Sequence, residues 1–174
     1  APGQPKVGRR LRRMEILWAG WRSDYVKGAD VQGEGDGCVF CALPDHDDAE
    51  ALVLERGEHV YSVLNRYPYT TGHLMVMPYR HVGDMGELTD DEKTELWDLL
   101  DRARDACEAA MSPSGFNLGA NLGRAAGAGI PDHLHLHLVP RWSGDTNFMT
   151  SVAGTRVMPE DLETTWANLR RALG

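Results

Sequence analysis

Residues 132–142 have the sequence Asp132-His133-Leu134-His135-Leu136-His137-Leu138-Val139-Pro140-Arg141-Trp142. Histidine and leucine alternate strictly through most of this stretch, and a period of two is typical of a β-strand. A strand would place the three histidines on one face and the three leucines on the other, so that the leucines can cover a core. Pro140 has no amide hydrogen for a sheet ladder, so we expect the strand to end there or to lie at an edge.

Three imidazoles on one strand face indicate a functional site. A single histidine on a strand is usually structural, but three adjacent rings are costly unless they bind an anion, a metal or one another. Imidazole can attack phosphorus, can donate a hydrogen bond to phosphoryl oxygens, and can bind zinc. One ion bound by all three rings is disfavoured, because alternate β-carbons on a strand face lie about 7 Å apart.

The composition is that of a globular protein of one domain. The chain has 174 residues and a formal net charge of −8, which argues against a nucleic-acid coat or a membrane-surface protein. No apolar run approaches the roughly 20 residues of a membrane span, and no secretory signal pattern is visible, so we expect a cytoplasmic protein. Residues 1–15, which contain a basic run, are expected to form a tail, and residues 16–174 a single domain.

The order of strand and helix patterns predicts the fold class. Strand patterns, together with the histidine strand, occur at 52–54, 60–64, 73–78 and 116–121. A capping-box pattern from Thr89 to Glu92 predicts a long helix that runs to about Met111, and Pro159 predicts the first turn of a terminal helix to Leu173. This order predicts an α+β fold with an antiparallel sheet, one long central helix and a C-terminal helix.

Two of the three cysteines form a Cys-x-x-Cys pair, Cys38 and Cys41. Such a pair is compatible with a redox centre, a loop disulfide or half of a zinc site. The redox interpretation needs a nearby βαβ unit, which the pattern does not indicate. Zinc needs two more ligands, for which His81 and His133 are candidates. Cys107 lies on the apolar face of the predicted long helix and is expected to be buried.

The histidine stretch resembles the signature of the histidine triad family, which is His-x-His-x-His followed by two apolar residues. The resemblance covers roughly Trp18 to Met149, and the Trp-x-x-Trp-Arg-x-x-Tyr pattern that begins at Trp18 is similar to a bacterial branch of adenylyltransferases and dinucleoside-polyphosphate phosphorylases. The resemblance implies a five-stranded antiparallel sheet, a long helix and a two-fold homodimer that joins the sheets, with a tetramer as the alternative.

The resemblance also implies roles for the histidines. The middle histidine is the family's nucleophile, which implies that His135 attacks the α-phosphate of a nucleotide and holds it covalently. His137 would stabilise the added negative charge, and His73 is expected to be structural. Zinc-carrying members of the superfamily use a Cys-x-x-Cys pair, a later histidine and the first histidine of the triad, which implies a structural zinc ion at Cys38, Cys41, His81 and His133.

Five further residues are implied to bind the nucleotide. Asn65 matches an asparagine that bonds the ribose, although a turn residue that caps its own backbone is an equal alternative. Asn121 matches a polar residue that faces phosphate or ribose. The loop with Gly127 and Gly129 departs from the Gly-Gln-Ser or Gly-Gln-Thr of many relatives, so glycine amides would hold the anion, which leaves room for an acceptor other than water. Arg141 suits polyphosphate, and a surface ion pair is the alternative.

The function that the resemblance implies is cleavage of dinucleoside polyphosphates, with diadenosine tetraphosphate as the first candidate, through a nucleotidyl-histidine. Phosphate as the acceptor would give ADP and ATP, whereas water would release AMP. One alternative is a nucleoside phosphoramidate hydrolase with the same nucleophile, and another is a zinc-stabilised nucleotide-binding protein without useful turnover. Magnesium is a possible counter-ion of the substrate, and no nucleic-acid or membrane partner is expected.

Overall fold

The computed structural model describes residues 37–145 and 158–174. The tail predicted over residues 1–15, the domain boundary at residue 16 and the tryptophan-rich segment that begins at Trp18 lie outside the described residues. Those three expectations therefore stay predictions.

Four helices and five strands occur in the described residues, with 3-10 turns at Leu43–Asp45, Met85–Glu87 and Arg124–Ala126. In chain order they are α1 (Val39–Ala42), α2 (Asp48–Ala51), β1 (Val53–Arg56), β2 (Val60–Leu64), β3 (Leu74–Pro78), α3 (Asp90–Met111), β4 (Gly115–Gly119), β5 (Leu136–Arg141) and α4 (Leu162–Leu173). Over these two ranges, 37–145 and 158–174, no helix is both long and apolar enough to cross a bilayer.

The five strands form one antiparallel sheet in the order β1-β2-β3-β5-β4. All residues of β2 and β3 are buried. Helix α3 packs across these two central strands, and α4 packs against α3 and β1. The prediction of an α+β fold with a five-stranded antiparallel sheet, a long helix and a C-terminal helix is confirmed.

The long helix begins and packs as its sequence predicts. The Thr89 side chain accepts a hydrogen bond from the Glu92 amide at 3.1 Å, and the Glu92 carboxylate accepts one from the Thr89 amide at 2.8 Å, which completes the capping box. Its apolar residues recur every three or four positions and are buried against the sheet: Leu96, Leu99, Leu100, Ala103, Ala106 and Cys107. The expected burial of Cys107 is thereby confirmed.

The two edges of the sheet differ in how they are protected. At β1, the side chains of Trp166 and Arg170 from α4 donate hydrogen bonds to the carbonyls of Val53 and Leu54 at 2.8 and 2.6 Å. At β4, Asn117, Leu118 and Gly119 are exposed, and β5 is the neighbour of this strand within the described residues. An exposed edge offers unpaired main-chain groups to another strand, so β4 is the edge that is open to pairing.

The histidine strand differs from its prediction at both ends. Its paired part begins at Leu136 rather than at His133, because the Leu134 amide donates to the Val82 carbonyl at 2.6 Å, beyond the end of β3. It ends one residue after Pro140, since the Arg141 carbonyl still accepts a hydrogen bond from the Ser114 amide at 2.7 Å.

Helix α4 also begins later than predicted, at Leu162 instead of Pro159. The Asp161 carboxylate accepts a hydrogen bond from the Thr164 amide at 2.7 Å and is therefore the N-cap.

Candidate active site and metal centre

The alternating stretch brings three imidazoles side by side at the middle of the sheet. His133 and His135 are buried, and His137 is half-buried. The rings of His135 and His137 have centroids 5.0 Å apart and planes at 80° to each other. The three leucines that alternate with them belong to the hydrophobic core. The sequence pattern therefore divides this stretch into a core side and a histidine side, as predicted.

The tautomer of His135 follows from one hydrogen bond. Its Nδ1 lies 2.8 Å from the main-chain oxygen of His133, and because a carbonyl only accepts, Nδ1 must carry the proton. Burial lowers the pKa of His135 below its ordinary value, which favours the neutral ring. Its Nε2 then holds a lone pair, as a nucleophile requires.

His137 is held by a second chain of hydrogen bonds. Its Nδ1 lies 2.9 Å from Nε2 of His73, and the amide of Tyr69 donates to Nδ1 of His73 at 3.0 Å. The Tyr69 ring stacks on His73 with centroids 4.6 Å apart. Burial, and then the neighbouring His135, lower the pKa of His137 to about 4. Among the described residues, the buried Nε2 of His137 has no hydrogen-bond partner.

The four predicted metal ligands lie together, with one potential ligand atom from each within 4.8 Å of the others. Nδ1 of His133 is 3.3 Å from Sγ of Cys38 and 3.5 Å from Sγ of Cys41, and Nδ1 of His81 is 3.4 Å from Sγ of Cys41. Tetrahedral zinc with bonds of about 2.0–2.3 Å separates its ligands by about 3.5 Å. The prediction of a metal site at these residues is confirmed, and its geometry fits zinc.

The protonation of the cluster also suits a cation. Nε2 of His133 donates to the Pro78 carbonyl at 2.9 Å, so Nδ1 is left with a lone pair that faces the cysteines. Burial, and then the neighbouring Cys38, raise the pKa of the Cys41 thiol. A bound cation would offset this penalty, because metals bind the thiolate form.

Phe40 joins the metal cluster to the triad. It lies between the two cysteines in sequence, and its ring centroid is 5.6 Å from that of His133 and 5.0 Å from that of His135. Its carbonyl accepts a hydrogen bond from the Tyr61 hydroxyl at 2.6 Å. Helix α1, which has Cys38 as its N-cap and contains Cys41, therefore also covers one side of the His135 ring.

The predicted ribose-binding asparagine caps a turn. Oδ1 of Asn65 accepts a hydrogen bond from the Tyr67 amide at 2.9 Å, which is the alternative foreseen for this residue. Its Nδ2 lies 3.4 Å from Nδ1 and 3.5 Å from Nε2 of His73, the histidine that contacts His137. Contact with a ribose stays a prediction.

The glycine-rich loop between β4 and β5 follows Asn121, which is half-buried and lies just beyond the end of β4. Gly127 has a φ of +90° and donates its amide to the Arg124 carbonyl at 2.9 Å, which closes the 3-10 turn. Because the Gly127 amide is already hydrogen-bonded within the 3-10 turn, binding of an anion by this loop would depend on the amides of Gly129 and its neighbours. The phosphate-binding roles of Asn121, Gly127 and Gly129 stay predictions.

The guanidinium of Arg141 is partly engaged within the protein. It donates to both carboxylate oxygens of Asp145 at 2.6 and 2.9 Å and to Oδ1 of Asn117 at 2.7 Å. A guanidinium has five N–H donors, so these three bonds leave two donors for a ligand. Both expectations for Arg141, an ion pair and a polyphosphate contact, are compatible with this geometry.

Sequence reasoning did not assign His73 and Phe40 to the site. His73 precedes β3, and the pairing of Met75 with His137 in the neighbouring strand places it beside the triad. That register is a long-range property which no local pattern contains. For Phe40, the position between two metal ligands was a usable signal, because a short segment with a metal ligand at each end holds its central residue close to the metal site.

Comparisons with known proteins place these features in context. The HIT domain model matches residues 47–144. AP-4-A phosphorylase of Mycobacterium tuberculosis is 42% identical over 164 residues, which cover 91% of this chain and 84% of the relative. A Zn-bound histidine triad family protein from Mycobacterium smegmatis has a solved structure with a TM-score of 0.64 and 30% identity, over 79% of this chain and 93% of that one. The solved structure of a hypothetical histidine triad nucleotide-binding protein from Sulfolobus tokodaii gives a TM-score of 0.63 and 26% identity over 78% of this chain and 91% of that one.

Proposed function

Because the chain belongs to the histidine triad family, we propose that it cleaves dinucleoside polyphosphates through a covalent nucleotidyl intermediate on His135. The family and the 42% identical relative support the broad class, a nucleotidyl transferase or hydrolase. The name of that relative, AP-4-A phosphorylase, supports diadenosine tetraphosphate as the substrate and phosphate as the acceptor.

The observation that carries the proposal is the hydrogen bond from Nδ1 of His135 to the main chain of His133 at 2.8 Å. It leaves Nε2 as the attacking atom. As Nε2 bonds to the α-phosphorus, the bond from phosphorus to the bridging oxygen breaks, and its electron pair departs with ATP. The ring becomes positively charged in the adduct, and the main-chain oxygen of His133 stabilises the Nδ1 proton.

The second half of the reaction restores the histidine. An oxygen of inorganic phosphate attacks the same phosphorus, the phosphorus–nitrogen bond breaks, and ADP is released. With water in this position the product is AMP. The loop from Gly127 to Ile130 has no polar side chain, so no hydroxyl or amide side chain from this segment would hold a water against the adduct, which favours a charged acceptor.

The metal site would support the same reaction by fixing the position of His133. We propose that Cys38, Cys41, His81 and His133 bind zinc, because the solved neighbour from M. smegmatis is Zn-bound and the four ligands fit a tetrahedral site. Bound zinc would cross-link the segment that carries the two cysteines to His81 and His133. His133 then holds its main-chain oxygen in place for His135. Magnesium as a counter-ion of the polyphosphate stays a prediction, which turnover with and without added magnesium tests.

We also propose a homodimer in which a second copy pairs along β4. This strand is the exposed edge, and Leu118 is 47% exposed on it. Light scattering coupled to size-exclusion chromatography should give twice the mass of one chain, and a tetramer is the alternative.

A cytoplasmic location suits the thiols of Cys38 and Cys41, because a reducing compartment keeps them available to a metal.

Product analysis tests the reaction. Purified protein is incubated with diadenosine tetraphosphate, with and without phosphate, and products are separated by anion-exchange chromatography. We expect ADP and ATP with phosphate, and little turnover without it. His135→Asn should abolish turnover and keep the bound metal, whereas His46→Asn, at an exposed residue, should change neither.

Two other outcomes would replace the proposal. AMP and ATP in equal amounts, whether or not phosphate is added, would indicate a hydrolase, and faster release of AMP from adenosine phosphoramidate would indicate the phosphoramidate activity. Binding of AMP without an acid-labile adduct at His135 would indicate a nucleotide-binding protein without turnover.

A further inference from the structure

We infer that Arg56 is a positioning residue of the metal centre: its guanidinium holds the segment that carries the two cysteine ligands in place before a metal binds. The inference deepens the proposed zinc site, and it rests on that site rather than on the proposed cleavage of nucleotides. Four hydrogen bonds attach residues 38–48 to strands β1 and β2 and support this role.

Arg56, the last residue of β1, binds three points of this segment. Its Nε donates to the carboxylate of Asp48 at 2.8 Å, its Nη1 to the Pro44 carbonyl at 2.9 Å and its Nη2 to the His46 carbonyl at 3.3 Å. A surface ion pair with Asp48 alone would not account for the two bonds to main-chain carbonyls. A planar guanidinium offers several N–H donors in fixed directions, so one side chain of the sheet fixes the course of residues 44–48.

The cysteine segment cannot fix its own position. Helix α1 has four residues, and Cys38, its N-cap, makes no side-chain capping bond. A helix of this length is unstable in isolation, because forming the first turn loses more conformational entropy than its hydrogen bond offsets. The His46 amide donates to the Leu43 carbonyl at 3.2 Å, which continues the chain of turns from Cys41 to the residues that Arg56 binds. Arg56 therefore holds the C-terminal end of the ligand segment.

Tyr61 holds the middle of the same segment. Its hydroxyl donates to the Phe40 carbonyl at 2.6 Å, and the tyrosine is fully buried. Tyr61 in β2 lies directly opposite Arg56 in β1, so both side chains extend from one cross-strand pair on one face of the sheet. The segment is thereby attached to the sheet at two places, at residue 40 and at residues 44–48.

The other two metal ligands are placed by a different part of the sheet. Nε2 of His133 donates to the carbonyl of Pro78, the last residue of β3, at 2.9 Å, and His81 follows three residues after that strand. A metal ion binds more weakly when its binding must also order a flexible part of the site, because the lost conformational entropy opposes binding. With the cysteine segment already held, binding has to order side chains rather than main chain.

Metal titration of the metal-free protein tests this role. The protein is freed of metal with a chelator under reducing conditions and titrated with Co²⁺, whose bonds to thiolates give a charge-transfer band. We expect Arg56→Gln to raise the Kd for Co²⁺ about 10- to 100-fold, with the same spectrum at saturation because all four ligands remain. Arg56→Lys should raise the Kd to a similar extent, since an ammonium keeps the charge beside Asp48 but lacks the fixed fork that bonds three acceptors.

Arg102→Gln is the matched control, because Arg102 pairs with Glu55, directly beside Arg56, at 2.9 Å and outside the cysteine segment. Its Kd should stay within about 2-fold of the wild-type value. Hydrogen exchange of the metal-free proteins gives a second readout. The amides of Ala42 and His46 should exchange about 10-fold faster in Arg56→Gln, whereas the amides of β2 and β3 should change by less than about 2-fold. A general loss of stability would instead speed up both sets.

The outcomes separate this inference from the proposed reaction. If the amides of Ala42 and His46 in metal-free wild type exchange as in an unfolded chain, the segment is not held beforehand and the inference is wrong, whether or not any variant folds. An unchanged Kd in folded Arg56→Gln, or a wild-type Kd in Arg56→Lys, would also overturn it. Failure of the wild type to bind Co²⁺ would overturn the metal site and this inference together. These measurements contain no nucleotide, so a protein that never forms an adduct at His135 would refute the proposed reaction and leave the role of Arg56 intact.

Discussion

The main-chain oxygen of His133 accepts a hydrogen bond from Nδ1 of His135 at 2.8 Å. In the ring of the same His133, Nε2 donates a hydrogen bond to the Pro78 carbonyl, and Nδ1 faces the two cysteines. One residue therefore connects the metal cluster to the proposed nucleophile. The metal need not touch the substrate to influence the reaction, because a shift of His133 changes the atom that orients His135.

Loss of the metal should reduce catalysis as well as stability. Cys41→Ser removes a ligand that approaches both His81 and His133. We expect the metal content to fall below half of the wild-type value and the rate of adduct formation to fall about 10- to 100-fold, as is usual when groups that orient a site are removed. Metal content is measured by mass spectrometry of the purified protein, and the adduct by acid-quench analysis.

The control for this change is Cys107→Ala, at a cysteine buried in α3 away from the cluster. It should keep the metal and the adduct rate and lose only some stability, because a small cavity is left. Full metal content in Cys41→Ser would contradict the assignment of this ligand.

Most of the fold and the metal cluster could be predicted from sequence because their signals are local or have fixed spacing. The capping box of Thr89 and Glu92 predicted the start of α3, and strict alternation predicted which side of residues 133–138 faces the core. Four cysteine and histidine ligands identify a metal site when their order matches a known pattern, and the structure brings them together.

The remainder of the site depends on contacts between distant segments. His73 meets His137 only because β3 and β5 pair in the register that sets Met75 opposite His137. The late start of β5 results from a bond between Leu134 and Val82, which no repeat in the sequence indicates. Likewise, the sequence could not show that the Gly127 amide would be used to close its own turn.

Arg141 should contribute to polyphosphate binding more than to stability. Its guanidinium has two N–H donors beyond those bound by Asp145 and Asn117. We expect Arg141→Gln to raise the KM for diadenosine tetraphosphate about 10-fold, which corresponds to one lost charge-assisted hydrogen bond. Steady-state kinetics at several substrate concentrations separate this from an effect on kcat.

Arg104→Gln is the matched control, because Arg104 is also ion-paired, with Asp101 and Asp105, but on the exposed side of α3. It should leave KM unchanged. Equal effects of the two substitutions would mean that Arg141 serves only as a surface ion pair, which is worth about 0–1 kcal/mol.

Glu92 should support the metal ligand His81 through Arg80. The Glu92 carboxylate accepts hydrogen bonds from Arg80 at 2.7 and 2.8 Å and from the Thr89 amide at 2.8 Å. The Arg80 guanidinium, and then the Thr89 amide, hold the pKa of Glu92 at about 2. We expect Glu92→Ala to lower the free energy of unfolding by about 1–3 kcal/mol and to weaken metal binding, because Arg80 directly precedes His81.

Urea unfolding and competition with a metal-binding dye measure the two effects. Glu108→Ala, at an exposed position near the other end of α3, should change the unfolding free energy by less than about 0.5 kcal/mol. If Glu92→Ala destabilises the fold but leaves the metal affinity unchanged, then Arg80 does not help to hold His81.

Acid should destabilise the fold over the pH range that lies between the pKa of His137 in the folded protein and its pKa in the unfolded chain. Burial lowers its pKa in the folded protein to about 4, against about 6.5 in an unfolded chain. Above pH 6.5 the ring is neutral in both states, so the full stability is present. Between pH 6.5 and 4 the unfolded chain binds a proton that the folded protein does not, so the free energy of unfolding falls by about 1.4 kcal/mol per pH unit. Below pH 4 both states bind it and this contribution to the slope ends.

Replacement of His137 by a side chain that does not titrate isolates this contribution. His137→Gln keeps an acceptor for the N–H of His73 but carries no titrating group. Between pH 7 and pH 5, the wild type should lose roughly 2 kcal/mol more unfolding free energy than His137→Gln, as measured by urea unfolding at both pH values. The buried His135, whose pKa is also lowered, is present in both proteins, so the difference reports His137 together with its coupling to His135. Parallel losses in the two proteins would show that His137 titrates near its ordinary pKa in the folded state, and that neither burial nor the bond from His73 keeps it neutral.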